Sequence, residues 1–330
     1  MKTIINHSKD PRFNLALEEY MLKHYESDED FILLWQNENT VVVGRNQNTV
    51  EEIHADYVKE HNVSVVRRIT GGGAVFHDLG NLNFSFITSN LKDNLNNYRK
   101  FTDPIIKALN TLGVPAEFAG RNDIVVDGKK ISGNAQSYHK NRMLHHGTIL
   151  FDVDLSSIAD VLNVKQIKVE SKGIKSNRAR VTNILPYLKK QVTVSELETT
   201  LLKYLLDTDD IESHTIQLGE HDYKQINKLV EEKYSKWEWN YGKSPAFSIE
   251  KIKRYQGGIL ELKFNVKEGF ITDFKIFGDF LGSKEVNEIE NLIIDKKYEI
   301  SEIKEAIKGI DVSEYFFNIF SDDLIDCMFY

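Results

Sequence analysis

Asp127-Gly128 stands between two strand-like runs, AEFAGRNDIVV and KKISGNAQ, and this dipeptide is among the strongest signals for a two-residue β-hairpin turn. Tight connections recur around it. NEN separates FILLWQ (31–36) from TVVVGR (40–45), suggesting an antiparallel pair; Leu79-Gly80-Asn81 parts GAVFHD from LNFSFI; and QSYHKNRMLHHGTILFDV reads as a second hairpin. Strands joined this tightly cannot be parallel neighbours, which need a crossover of about a dozen residues or more. The expected fold is therefore α+β, a mixed and largely antiparallel sheet flanked by helices, and not a doubly wound nucleotide-binding fold.

Helices punctuate this pattern. Asp10-Pro11 supplies an N-cap and a first-turn proline for a helix from about Arg12 to Tyr25, and a second helix from about Asn97 ends at Gly113 as its C′ residue. The chain is helical and charged around 193–235. Past the aromatic cluster KWEWNYGKSPAF, residues 254–280 alternate as strands and two helical segments continue to about Gly309. A chain of 330 residues with 41% apolar content suits two domains. The boundary is placed at Ser244-Pro245, giving domains 1–244 and 245–330, the second a small α+β unit.

Several function classes recede. No stretch approaches eighteen apolar residues and the N-terminal MKTIINHSKDPRF lacks a signal-like run, so a soluble, cytoplasmic protein without a membrane partner is expected. The single cysteine, Cys327, excludes disulfides, cysteine-rich zinc sites and a cysteine nucleophile in a mid-chain motif. A net charge of -8 argues against nucleic acid as the partner.

The stretch RRITGGGAVFHDLGN (67–81) fits neither G-x-G-x-x-G nor the Walker pattern, and the residues after the glycines read as a strand. Bare backbone still lets amides approach anionic oxygens, and Arg67 or Arg68 would add a forked cation. A tight turn with incidental charges explains the same residues.

RRITGGGAVFHDLGNLNFSF closely resembles the signature of the lipoate-protein ligase A family. Three further matches fall in the family's order: LWQNENTVVVGRNQN (34–48), GRNDIVVDGKKISGNAQ (120–136) with HHGTILFDVDL (145–155), and SKGIKSNRARVTNI (171–184). The resemblance covers essentially the whole chain. It implies a catalytic domain similar to those of biotin ligases and class II aminoacyl-tRNA synthetases, with a small C-terminal accessory domain. It also implies lipoate scavenging: MgATP and lipoate give lipoyl-AMP and pyrophosphate, and the lipoyl group passes to a lysine of an apo carrier domain, an E2 subunit of 2-oxoacid dehydrogenases or the glycine cleavage H protein. ATP, Mg²⁺ and lipoate enter as substrates, no cofactor is permanently bound, and a monomer is expected.

The resemblance assigns roles residue by residue. Lys130 takes the position of the family's active-site lysine, where its ammonium contacts both acyl carbonyl and phosphate; Lys129, one strand residue away, must face the other side. Trp35, Arg68, Thr70, Gly72, His77, Lys130 and His146 border the lipoyl group. Arg68, Gly73, Ala74, Val75, Phe76, Asn81, Asn122, Asp123, Lys130, Ser132, Gly133, Ala135, Lys172 and Lys175 contact ATP or adenylate, and Asp123 is the candidate to meet Mg²⁺. Without the resemblance, Trp35 reads as core, His77 as a satisfied buried histidine, Lys130 as a solvated hairpin lysine and Asn122-Asp123 as an ordinary turn. His145 and His146 are adjacent in a strand, diverge, and do not chelate a metal together. Alternatives on the same fold are an octanoyltransferase, whose covalent route needs a cysteine in the catalytic domain, and a biotin ligase, whose GRGRxGRxW-type loop is missing; a noncatalytic carrier- or lipoate-binding module is the third.

The segment KQIKVESKGIKSNRAR carries six cations in sixteen residues with little to bury. It is expected to be poorly ordered until a phosphate gives those charges a partner. Limited trypsin digestion near Lys172 to Arg180 should be rapid without ligand and with ATP alone, and slow with a nonhydrolysable lipoyl-AMP analogue. Identical cleavage in all three conditions would remove Lys172 and Lys175 from the site.

Overall fold

The computed structural model describes residues 1–89, 94–163, 181–241, 249–267 and 269–330. A seven-stranded sheet is built from β1 (Lys2–Thr3), β2 (Phe31–Trp35), β6 (Asn81–Thr88), β7 (Glu117–Ala119), β8 (Asp123–Val126), β9 (Lys129–His139) and β10 (Arg142–Leu150). Its strands run in the order β1-β2-β6-β10-β9-β8-β7. Among the described residues of this sheet, only β1 and β2 pair in parallel. The hairpin turns fall where glycine-type backbone is required: Asp127 (φ 51°), Gly128 (φ 72°) and Lys140 (φ 52°) are all left-handed.

Alternation along the central strands covers both faces. Phe31, Leu33 and Trp35 of β2 pack with Leu15 and Met21 of the helix Pro11–Lys23, while Ile32 and Leu34 pack with Phe101, Ile105 and Leu109 of the helix Tyr98–Thr111. The first helix begins as the sequence indicates: the Asp10 side chain accepts from Arg12 N at 2.9 Å and Pro11 occupies its first turn. On β10 the two histidines diverge. His145 stacks on Phe101 with ring centroids 4.9 Å apart, and His146 bonds Glu18 on the opposite face.

One expected pairing does not occur. FILLW and TVVV are not partners: β3 (Thr40–Val43) lies in a second sheet, between β4 (Ser64–Arg67) and β5 (Val75–His77). Both runs are wholly buried, so each needs neighbours and cover of its own, and β2 finds them between β1 and β6. The turn at Leu79-Gly80 between β5 and β6 likewise connects two sheets.

The C-terminal block has its own core around Leu260, Phe264, Phe274, Ile289 and Phe316. Its meander β11 (Ile249–Tyr255), β12 (Gly258–Lys267) and β13 (Phe270–Gly278) is followed by the helices Asn287–Ile293 and Ile300–Ile307 and by a third, Ser321–Phe329, which the sequence did not lead us to expect. The boundary at Ser244-Pro245 lies outside the described residues. The block packs on the preceding part of the chain through Leu281, which packs with Tyr98 and Ala135, through Gly278 N to Asn46 O at 2.8 Å, and through Arg45 to Glu285 at 3.2 Å.

Arg67 ties this architecture together, and among the described residues it has no carboxylate partner. Its guanidinium donates to the carbonyls of Gly44, Arg45, Gln47 and Trp239 at 2.6–3.0 Å and to Thr49 Oγ1 at 2.6 Å. Burial pushes its pKa down to about 10, which still leaves it charged. Arg67→Met should lower the free energy of unfolding by about 3 kcal/mol, because several buried carbonyls lose their donor together. A denaturant midpoint corresponding to a loss below about 1 kcal/mol would contradict this role.

Candidate active site

Two cavities meet on one side of the large sheet. A narrow tunnel of about 80 Å³ runs beneath the glycine loop between Leu15, Trp35, Val42, His77, Asn83 and His146. A wider cavity of about 440 Å³ lies next to it, walled by Ala74, Phe76, Asn81, Asp123, Ser132 and Leu150. Val75, Lys130, Gly133 and Thr148 line both and so mark the junction.

Lys130 reaches this junction because of its strand. A β-bulge opposite Ile124 and Val125 inserts one residue into β9 beside Lys130, and such bulges re-aim side chains. Lys129 is exposed, and Lys130 pairs with Asp123 Oδ1 at 2.7 Å. Gly133 leaves room for it: a Cβ there would lie 2.8 Å from Lys130 Nζ. Asp123, the residue expected to meet Mg²⁺, forms an ion pair with Lys130 here. Among the described residues no group of three His, Cys, Asp or Glu could hold a metal ion.

The tunnel wall is fixed by one buried carboxylate. Glu18 accepts from Ser85 Oγ at 2.5 Å and from His146 Nδ1 at 2.9 Å; Ser85 Oγ in turn accepts from Trp35 Nε1 at 2.8 Å. With its Nδ1 proton directed at Glu18, His146 offers Nε2 as the acceptor for Thr70 Oγ1 at 2.7 Å. Thr70 itself does not line the tunnel; it acts through His146 and accepts from Arg68 Nε at 3.0 Å. Glu18 was not anticipated, although a carboxylate flanked by Leu15 and Leu22 in LALEEYML carries the signal.

Arg68 lines the tunnel, but most of its donors already have partners. It bonds Val42 O at 3.1 Å, Gly71 O at 2.7 Å and Gly73 O at 2.9 Å, so it shapes the loop as much as it offers charge. Burial pushes its pKa down to about 10, while Glu18 opposes the shift. Gly72 is left-handed at φ +94° and its amide donates to Phe280 O of the C-terminal block at 3.2 Å. The strand predicted after the glycines is β5.

The remaining expected residues divide between the cavities. Gly72, Gly73, Asn122 and Ala135 line the tunnel, and Ala74, Phe76, Asn81 and Ser132 the wider cavity. Asn122 and Asn134 bond each other's backbone, with Asn134 Nδ2 reaching Asn122 O at 3.0 Å. Asn81 Oδ1 is a buried acceptor in the cavity wall without a partner among the described residues. Lys172 and Lys175 lie outside the described residues; the chain resumes at Val181, which bridges Lys130, and Thr182 N donates to Lys130 O at 3.0 Å. The apolar end of the wider cavity, Leu155, Ile158, Ala159 and Leu162, was missed. Its i, i+3, i+4, i+7 spacing after Asp154 is a readable helix stripe.

The arrangement joins a narrow, largely apolar slot to a larger polar-and-apolar chamber, with one ammonium at the join. Comparison with known proteins agrees with it. A family model for the lipoyl protein ligase A/B catalytic domain matches residues 10–206, and one for the bacterial lipoate protein ligase C-terminus matches 244–328. The chain is similar to lipoate-protein ligase LplJ of Bacillus subtilis, 48% identical over 97% of both chains. It is similar in structure to P. falciparum LipL1 in complex with lipoate, with a TM-score of 0.78 at 29% identity over 98% of this chain and 97% of that one. A lipoate-protein ligase A bound with ATP gives 0.62 at 27% identity, over 73% and 98%. With both of its halves matched and its full length aligned to a ligase, the chain belongs to the lipoate-protein ligase family and is a ligase enzyme.

Proposed function

We propose that the protein activates lipoate with ATP, giving lipoyl-AMP and pyrophosphate, and then transfers the lipoyl group to a lysine of apo carrier domains, the E2 subunits of 2-oxoacid dehydrogenases or the glycine cleavage H protein. The observation that carries this reading is the position of Lys130 at the junction of the two cavities. The tunnel takes the acid with its carboxylate at the junction. Its walls suit a methylene chain, each buried methylene contributing about 0.8 kcal/mol. The wider cavity takes the nucleotide, with the adenine against Leu155, Ile158 and Leu162 and the α-phosphate beside Gly133.

Both reacting groups are anions, and their approach is opposed unless a fixed cation lies between them. Lys130 supplies it, exchanging Asp123 for the carboxylate and phosphate oxygens. A carboxylate oxygen then attacks the α-phosphorus as pyrophosphate leaves. In the second step the carrier amine attacks the acyl carbonyl and AMP departs, with Lys130 held near the carbonyl oxygen. Mg²⁺ comes with the nucleotide phosphates. Residues 1–244 carry this chemistry and 245–330 form an accessory domain. The covalent octanoyltransferase route is disfavoured by Cys327, which is buried in the C-terminal core and whose thiol burial pushes up to about 12.

Lipoate-dependent exchange of pyrophosphate into ATP should proceed with the enzyme alone. Lys130→Ala should slow that exchange by about 10²- to 10³-fold, the scale of removing one preorganised donor, while Lys129→Ala leaves it intact. Near-normal exchange in the Lys130 variant would overturn the reading.

Gly133→Ala provides a subtler check. The new Cβ displaces the flexible end of Lys130, so the variant should melt like the parent but exchange pyrophosphate about 10-fold more slowly. Unchanged exchange would mean that Lys130 need not occupy its observed position.

A further inference from the structure

His145 is fully buried and takes no direct part in the chemistry at Lys130. Burial among Phe84, Phe86, Tyr98 and Phe101 holds its pKa well below the usual imidazole range, with His146 adding to the shift, so the ring is neutral. A neutral imidazole carries one hydrogen and one lone pair, and where water does not enter both need a protein partner. Both have one here, and the partners lead to the junction of the two cavities.

The hydrogen is placed from two directions. Gln136 Oε1 accepts from Asn96 N at 2.9 Å, which turns the Gln136 Nε2 toward His145 Nδ1, 3.1 Å away. Nδ1 therefore accepts, and the ring Nε2 carries the hydrogen toward Asn134 Oδ1 at 3.2 Å. From the other end, Asn134 Nδ2 donates to Asn122 O at 3.0 Å and to Ser132 Oγ at 3.2 Å, which leaves Oδ1 as the atom facing the ring. Gly147, opposite Asn134 on β10, makes room for this arrangement, since a Cβ there would overlap Asn134 Oδ1 and the Phe84 ring.

Asn134 is where the chain of bonds meets the site. Asn122 O accepts from both Asn134 N and Asn134 Nδ2, each at 3.0 Å, and Asn122 Nδ2 donates back to Asn134 O. This clamp fixes the turn 120–122 against β9, and the next residue, Asp123, holds Lys130 at 2.7 Å. Without the His145 hydrogen, Asn134 Oδ1 is buried against aromatic rings with no donor. The side chain relieves this only by rotating out of place, which releases Nδ2 from Asn122 O.

We infer that His145 is a positioning residue for the activation step: through Asn134 and Asn122 it keeps Asp123, and hence the Lys130 ammonium, at the junction. The inference rests on the reading of Lys130 as the cation of that step. It concerns one face of the sheet. The tunnel wall set by Glu18, His146 and Trp35 lies on the other, so loss of the His145 hydrogen slows the chemical step and leaves the binding of lipoate nearly unchanged.

The test is pyrophosphate exchange by the full-length enzyme with lipoate varied at saturating ATP, read beside the melting temperature. His145→Phe keeps the aromatic packing and removes the donor; kcat should fall about 5- to 10-fold while KM for lipoate stays within about 2-fold of the parent. His145→Gln puts an amide N–H near the place of Nε2, whereas His145→Asn, equally polar but shorter, leaves Asn134 without a donor. His145→Gln should therefore recover most of kcat and His145→Asn should not, at similar melting temperatures. A merely structural role predicts instead that activity follows melting temperature across the three variants. Parent-like kcat in His145→Phe, a raised KM with kcat unchanged, or equal kcat in His145→Gln and His145→Asn overturns the inference. If His145→Phe does not fold, the comparison of His145→Gln with His145→Asn decides. A parent enzyme that exchanges no pyrophosphate would overturn the activation reading itself.

Discussion

A buried carboxylate organises the narrow tunnel. Glu18 sits on the helix Pro11–Lys23 facing the large sheet, 1% exposed, where an unpaired charge would be costly. The cost is met by donors that become the tunnel wall: Ser85, which orients Trp35, and His146, which orients Thr70 and through it Arg68. Arg68 then gathers the carbonyls of Gly71 and Gly73. From Glu18 to the glycine loop every link has a defined donor and acceptor, so the wall is set before any ligand arrives. This is the preorganisation that a positioned reaction requires.

The two arginines of RRIT show how alternation separates structure from site. Arg67 and Arg68 are adjacent, equally buried at 7% exposure, and each is surrounded by carbonyl oxygens. Arg67 faces the segment Trp239–Asn240 and the turn after β3; Arg68 faces the tunnel. The residues by themselves left Arg67 and Arg68 open as the cation facing the tunnel, because that depends on which side of the strand is covered, and the family resemblance assigned Arg68.

Much of the site was readable where function is coded locally. The Asp127-Gly128 turn fixes the β8–β9 register, and register fixes which of Lys129 and Lys130 faces inward. The divergence of His145 and His146 comes from the same period. What was not readable came from packing between distant elements: Glu18 against β10, Asn14 against Asn37, and Leu281 of the C-terminal block against Ala135. The β2–β3 expectation failed for a related reason. NEN is a turn, and Asn39 is left-handed within it, but a turn sets only the reversal. Which sheet each strand joins is decided by the buried surface available beyond it.

The strength of the Lys130–Asp123 pair bears on how the junction accepts its substrates. Both side chains keep about a third of their surface exposed, 38% and 35%, so the pair is worth at most about 1 kcal/mol. It nevertheless holds the ammonium toward the junction without a ligand. A fully buried pair would cost about 3 to 5 kcal/mol to separate, and the substrates would have to supply that before chemistry began. An exposed lysine with no partner would have to be ordered from free rotation. On the proposed reading, the intermediate arrangement keeps Lys130 near its working position while making exchange of Asp123 for substrate oxygens inexpensive, and the contacts formed in that exchange strengthen once ligands exclude water from both cavities.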